Sequence, residues 1–69
     1  MPLAMADLGR EGTILKVGGR EETRKFLESL GFVAGATVTV VASMGGNVIV
    51  NIKESRIAIS REMAMKIMV

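Results

Sequence analysis

The chain contains no histidine, no cysteine, no tyrosine and no tryptophan, and each absence closes a route to function. Without imidazole or thiol, a nucleophile and base of the Ser/His or Cys/His kind cannot be assembled, so Ser29, Ser43, Ser55 and Ser60 have no activator and read as surface or capping residues. The only adjacent acidic pair, Glu21-Glu22, opens a predicted helix, where successive side chains diverge and both carboxylates are solvated. These residues favour helix-dipole partners over general acids, and a non-enzymatic protein is expected. No cofactor is expected either.

The same absences bear on metals. The soft and imidazole ligands that usually hold transition metals are missing, which leaves only carboxylates. Asp7, Glu11, Glu21, Glu22, Glu28, Glu54 and Glu62 have no spacing like a calcium loop or a closed ligand set, so no metal site is assigned. Gly18-Gly19 ahead of a helix could be taken for a phosphate cradle, but Glu21 and Glu22 in the first turn would repel the anion.

Long apolar runs are absent as well. Hydrophobic residues make up 49% of the chain but are interrupted far short of the ~20 in a row that span a bilayer, so direct membrane insertion is not expected. Met1-Pro2-Leu3-Ala4-Met5-Ala6 lacks the basic start and long apolar core of a signal peptide, and there is no cysteine framework, which points to the cytoplasm. The net charge of +2 is spread rather than gathered. Arg10 adjoins Glu11, Arg20 precedes Glu21-Glu22, Lys53 precedes Glu54 and Arg61 precedes Glu62, so no basic stripe suggests nucleic acid.

What is present fits one small domain over residues 1–69. At this length only about 60% of the unfolded chain's surface is buried on folding, which leaves room for one core and no deep cleft. Gly12-Thr13-Ile14-Leu15-Lys16-Val17-Gly18 is a β-branched run bounded by glycines and predicts a first strand. Gly19 offers an N-cap, and Thr23, Phe26, Leu27 and Leu30 form one apolar side of a helix over about Arg20 to Leu30. Glu21 with Lys25, and Arg24 with Glu28, are four apart on its outer surface.

The helix pattern stops at Gly31. Counting back from it puts Leu27 at the third position from the helix end and Phe32 two positions beyond the cap, the apolar pair of a Schellman turn with Gly31 left-handed. From Ala36 the period becomes two. Ala36, Val38, Val40 and Ala42 alternate with Thr37, Thr39 and Val41, and Val48, Val50 and Ile52 alternate with Ile49, Asn51 and Lys53. Met44-Gly45-Gly46-Asn47 links these two strands as a tight hairpin, and Glu54-Ser55 leads into a third over Arg56-Ile57-Ala58-Ile59. Ser60 caps a short helix with Glu62 near its start, and Ile67-Met68-Val69 closes the sheet. The expected fold is mainly β with short helices: a small five-stranded SH3-like barrel, with one helix after strand 1 and a short helix before the last strand.

The helix-Leu30-Gly31-Phe32-x-x-Gly35-strand arrangement resembles the signature of the FeoA family, the small cytosolic components of bacterial ferrous-iron uptake systems. The resemblance covers nearly the whole chain. It takes in Leu3 and Asp7-Leu8, then Gly12, Ile14 and Val17, Leu27, Gly45, Ile57-Ala58-Ile59, Ala64 and Ile67. Two departures stand out: Ala34 occupies a common proline position, and Gly46-Asn47-Val48 stands where an Asp-Pro-Ile type of sequence is common. The resemblance implies an accessory of FeoB, the membrane ferrous-iron transporter with its own GTP-binding domain, acting by docking and modulating assembly or activity. A similar barrel forms the C-terminal domain of iron-dependent repressors, making a metal-responsive module the alternative; no helix-turn-helix precedes it here, which favours a freestanding accessory. A nucleic-acid-binding barrel is the remaining one. Leu30, Gly31, Phe32, Val33 and Met44 are the expected partner contacts, with Arg24 and Lys25 as a polar rim. Of the six methionines, Met63, Met65 and Met68 suit core filling, whereas Met44 at a hairpin tip suits an exposed apolar patch. The sequence leaves weak homo-oligomerisation open.

Overall fold

The computed structural model describes residues 1–69. A 3-10 turn at Leu3–Met5 is followed by β1 (Glu11–Thr13), β2 (Lys16–Val17), α1 (Glu21–Ser29), β3 (Thr37–Met44), β4 (Asn47–Ile52), β5 (Ser55–Ser60), α2 (Arg61–Ala64) and β6 (Ile67–Met68). The strands form an antiparallel four-stranded sheet in the order β1-β3-β4-β5 and a two-stranded sheet of β2 and β6.

The predicted first strand is divided between these sheets. The Ile14 N–H donates to the Ala36 carbonyl at 2.9 Å, whereas the next residue, Leu15, donates to Met68 at 2.7 Å. The chain therefore changes sheets between them, which buries Ile14 and leaves Leu15 66% exposed. This handover lets one short chain wrap its sheets around a common core, as in a small SH3-like barrel. The core holds twelve buried hydrophobic residues and no buried polar side chain. Val38 and Val40 of β3, Val48, Val50 and Ile52 of β4 and Ile59 of β5 supply its sheet side, in the expected alternation.

The alternation breaks once. A bulge at Val41 shifts the register from Val40↔Val50 to Ala42↔Ile49, so Ala42 pairs with a residue outside the buried Val48, Val50, Ile52 set. The expectation that Ala42 continues the face of Val38 and Val40 is corrected accordingly. At the tip only Gly45 and Gly46 lie between the strands, and Gly45 takes a φ of 59° that glycine adopts without a Cβ penalty.

Helix α1 ends as its sequence requires. The Phe32 N–H donates to the Leu27 carbonyl at 3.0 Å and the Gly31 N–H to Glu28 at 3.0 Å, the two bonds of a Schellman turn, with Gly31 at φ 105°. Its start differs from expectation: Arg20, not Gly19, is the N-cap, and it makes no side-chain cap bond. Leu27 is the only buried side chain of α1, and Phe26 is 49% exposed, so the apolar side read from the sequence is narrower than predicted. Before α2, the Ser60 hydroxyl accepts from the Met63 N–H at 3.1 Å, the predicted cap.

Candidate docking surface

The segment from Leu30 to Val33 closes α1 and turns towards β3. Leu30 is half-buried; Gly31 is buried; Phe32 is fully buried; Val33 is 36% exposed. The Schellman turn dictates this division, because folding Phe32 back onto Leu27 places its ring in the core. Gly31 and Phe32 therefore hold the corner in shape and are not themselves presented to a partner, which corrects their expected contact role. The corner's exposed apolar surface comes from Val33, part of Leu30, and Phe26, which stands one helical turn before Leu30.

Phe26 was missed as a surface residue because its spacing fits the core stripe. The barrel offers α1 room for a single side chain, which Leu27 takes. Leu15 was missed because its exposure follows from the change of sheets. Ile14 bonds the turn beyond Val33, accepting from the Gly35 N–H at 2.8 Å and donating to Ala36, so the chain leads from this turn directly to exposed Leu15.

Arg24 and Lys25 lie on the exposed side of α1. Lys25 pairs with Glu21 at 3.1 Å and Arg24 with Glu28 at 4.0 Å, as their spacing predicted. Exposed pairs of this kind are worth a few tenths of a kcal/mol, so both cations remain available to a partner. The third ion pair joins Arg10 to Asp7 at 3.7 Å, whereas the sequence suggested Glu11 as its neighbour.

Met44 is 64% exposed, as expected of a hairpin tip, but the structure does not bring it beside Val33. A Cβ on Gly31 would stand 3.9 Å from the Ile52 side chain and 3.5 Å from that of Lys53, at the base of the β3–β4 hairpin. Met44 pairs with Asn47 at the opposite end of β4. The separation along the strand, from Asn47 to Ile52, is roughly 17 Å. The predicted patch is thus two surfaces, a corner and a tip.

Lys53 itself adopts φ 55°, the one non-glycine residue with positive φ. It forms the β4–β5 turn with Glu54 and covers Gly31 with its aliphatic stem. On the outer face of the sheet, Glu11, Ala36, Thr37, Thr39, Asn51 and Lys53 line an open groove of about 530 Å³. One carboxylate and one ammonium among neutral groups give it no nucleophile with an activating base. Nowhere do three carboxylates converge into a ligand set.

Fold and surface together define a small SH3-like barrel presenting exposed aliphatic and aromatic side chains at one helix–strand corner. The FeoA domain model matches residues 1–69. A protein named Fe(2+) transport protein A in Methanocaldococcus jannaschii is 40% identical over 68 residues, covering 99% of this chain and 83% of that one. A crystal structure of an iron uptake regulatory protein, FeoA, superposes with a TM-score of 0.88 at 28% identity, covering 97% of this chain and 91% of that one. Stenotrophomonas maltophilia FeoA complexed with zinc, described as a prokaryotic SH3 domain protein, has a TM-score of 0.87 at 24% identity and covers 99% and 87% of the two chains, a likeness of fold. The chain belongs to the FeoA domain family.

Proposed function

We propose that this protein is a cytoplasmic accessory of ferrous-iron uptake that docks on the cytoplasmic part of the membrane transporter FeoB and modulates its assembly or activity. The reading rests on family membership, on the relative named for Fe(2+) transport, and on the build of the surface. One observation carries it: the side chains aligned for contact are apolar and exposed, while the residues that could do chemistry are scattered and solvated. Such a surface serves binding, not turnover.

Val33, Leu30 and Phe26 form the apolar centre of the docking corner, and Arg24 and Lys25 form its rim. Apolar anchors ringed by polar groups are the arrangement in which a few side chains supply most of the binding energy. Met44 contributes a separate contact from the hairpin tip. No helix is long and apolar enough to cross a membrane, so on this reading the transporter provides the membrane attachment. Purified protein mixed with the cytoplasmic part of FeoB tests the reading: co-purification of the two supports it, and failure to associate at high micromolar concentration contradicts it.

A further inference from the structure

Strand β5 is the open edge of the four-stranded sheet and pairs with β4 alone. The Arg61 N–H donates to the Gly46 carbonyl at 2.8 Å. Continued along the antiparallel pair, that alternation directs the main chain of Ile59, Ile57 and Ser55 towards β4 and that of Arg56 and Ala58 outward. Arg56 and Ala58 are both exposed, and no main-chain bond from outside the sheet reaches them. The other end of the sheet is different. β1 is three residues long, and Val69 lies over its Gly12, 3.6 Å from where a Cβ would stand.

Sheet edges are ordinarily blunted by brevity, proline, a bulge or charge. β5 runs for six residues in unbroken register, without proline, and its only charged side chain is Arg56. That guanidinium is drawn back over the sheet, its Nε donating to Asn51 Oδ1 at 3.1 Å. Ile57 faces the core but is only half-buried. A strand pairing antiparallel with this edge is favoured by an aliphatic residue opposite Ile57 and by the absence of a cation opposite Arg56.

We propose that the occupant is a second copy of this chain, with β5 paired antiparallel to β5 about a two-fold axis at Ile57. In this register Arg56 exchanges two main-chain hydrogen bonds with the partner's Ala58, and symmetry makes four. Ile57 meets the partner's Ile57 at the closer, non-hydrogen-bonded spacing, where an aliphatic pair covers both half-buried side chains. Arg56 stands opposite a methyl group, so no like charges oppose directly. Moving the axis to Ala58 would oppose Arg56 to Ser60, the N-cap of α2, and is disfavoured. One strand pair buries much less than the ~1,200 Å² of standard stable interfaces, so the dimer is weak and concentration-dependent.

Sedimentation equilibrium from about 20 µM to about 1 mM tests the proposal over the range expected of so small an interface. The wild-type mass rises towards twice that of the monomer. Ala58→Glu sets a carboxylate opposite the partner's Arg56 and tightens association by roughly threefold or more, because two symmetric contacts change together; Ala58→Lys loosens it comparably. Both variants keep the wild-type circular dichroism, since Ala58 is exposed. A chain monomeric throughout overturns the proposal. So does association that both substitutions weaken, or that neither changes. Ala58→Lys abolishing FeoB binding while the wild type stays monomeric would assign the edge to a foreign strand instead.

Discussion

The Phe32 N–H lies 3.0 Å from the Leu27 carbonyl, and both side chains have no exposed surface. This single relationship ties the end of α1 to the barrel core and sets the angle at which the next residues leave it. It depends on Gly31, whose φ of 105° lies where a side chain is strained whatever space surrounds it.

Gly31→Ala therefore destabilises the fold by about 1 kcal/mol or more, although the methyl group would meet only ordinary contacts at 3.5 Å and beyond. Chemical denaturation measures the difference. Equal midpoints for variant and wild type would contradict the account of the turn.

Lys53 poses the reverse case, a side chain held in the left-handed region at φ 55°. Lys53→Val is expected to cost about 1–2 kcal/mol, because a β-branched residue resists that conformation, whereas Lys53→Asn stays within about 0.5 kcal/mol of wild type. Thermal midpoints that fall equally for both variants would show that the lysine stem over Gly31 matters more than the backbone.

The donor set makes a prediction about iron. With neither imidazole nor thiolate, and with no three carboxylates converging, calorimetric titration of the chain with ferrous iron is expected to show no stoichiometric binding at micromolar affinity. GTP is expected to give the same result, since no phosphate-binding loop is present. Stoichiometric heat from either ligand would favour direct ligand binding over the proposed docking role.

Features encoded locally were legible in the sequence. Leu27, Gly31 and Phe32 specify the Schellman turn by spacing alone, Ser60 specifies its cap, and Gly45-Gly46 specifies the hairpin. Features set by distant partners were not. Nothing between Thr13 and Lys16 marks the change of sheets, because both halves are built of strand-forming residues and the break is imposed by Ala36 and Met68. The bulge at Val41 is equally silent, since a run of valines and alanine tolerates either register. The candidate surface suffered for the same reason. Exposure of Val33 and Met44 was readable, but their separation follows from which end of β4 each one adjoins.

Docking of the corner around Val33 on the transporter is what the exposed apolar surface is proposed to provide. Its most direct test is a binding titration of the cytoplasmic part of FeoB with wild type, Val33→Asp and Met44→Asp, each checked by circular dichroism. Both positions are exposed, so both variants should remain folded. Val33→Asp is expected to weaken binding about tenfold or more, because a carboxylate would be buried without a partner. Met44→Asp, on the separate tip surface, is expected to have the smaller effect. A folded Val33→Asp protein that binds as tightly as wild type would contradict the claim.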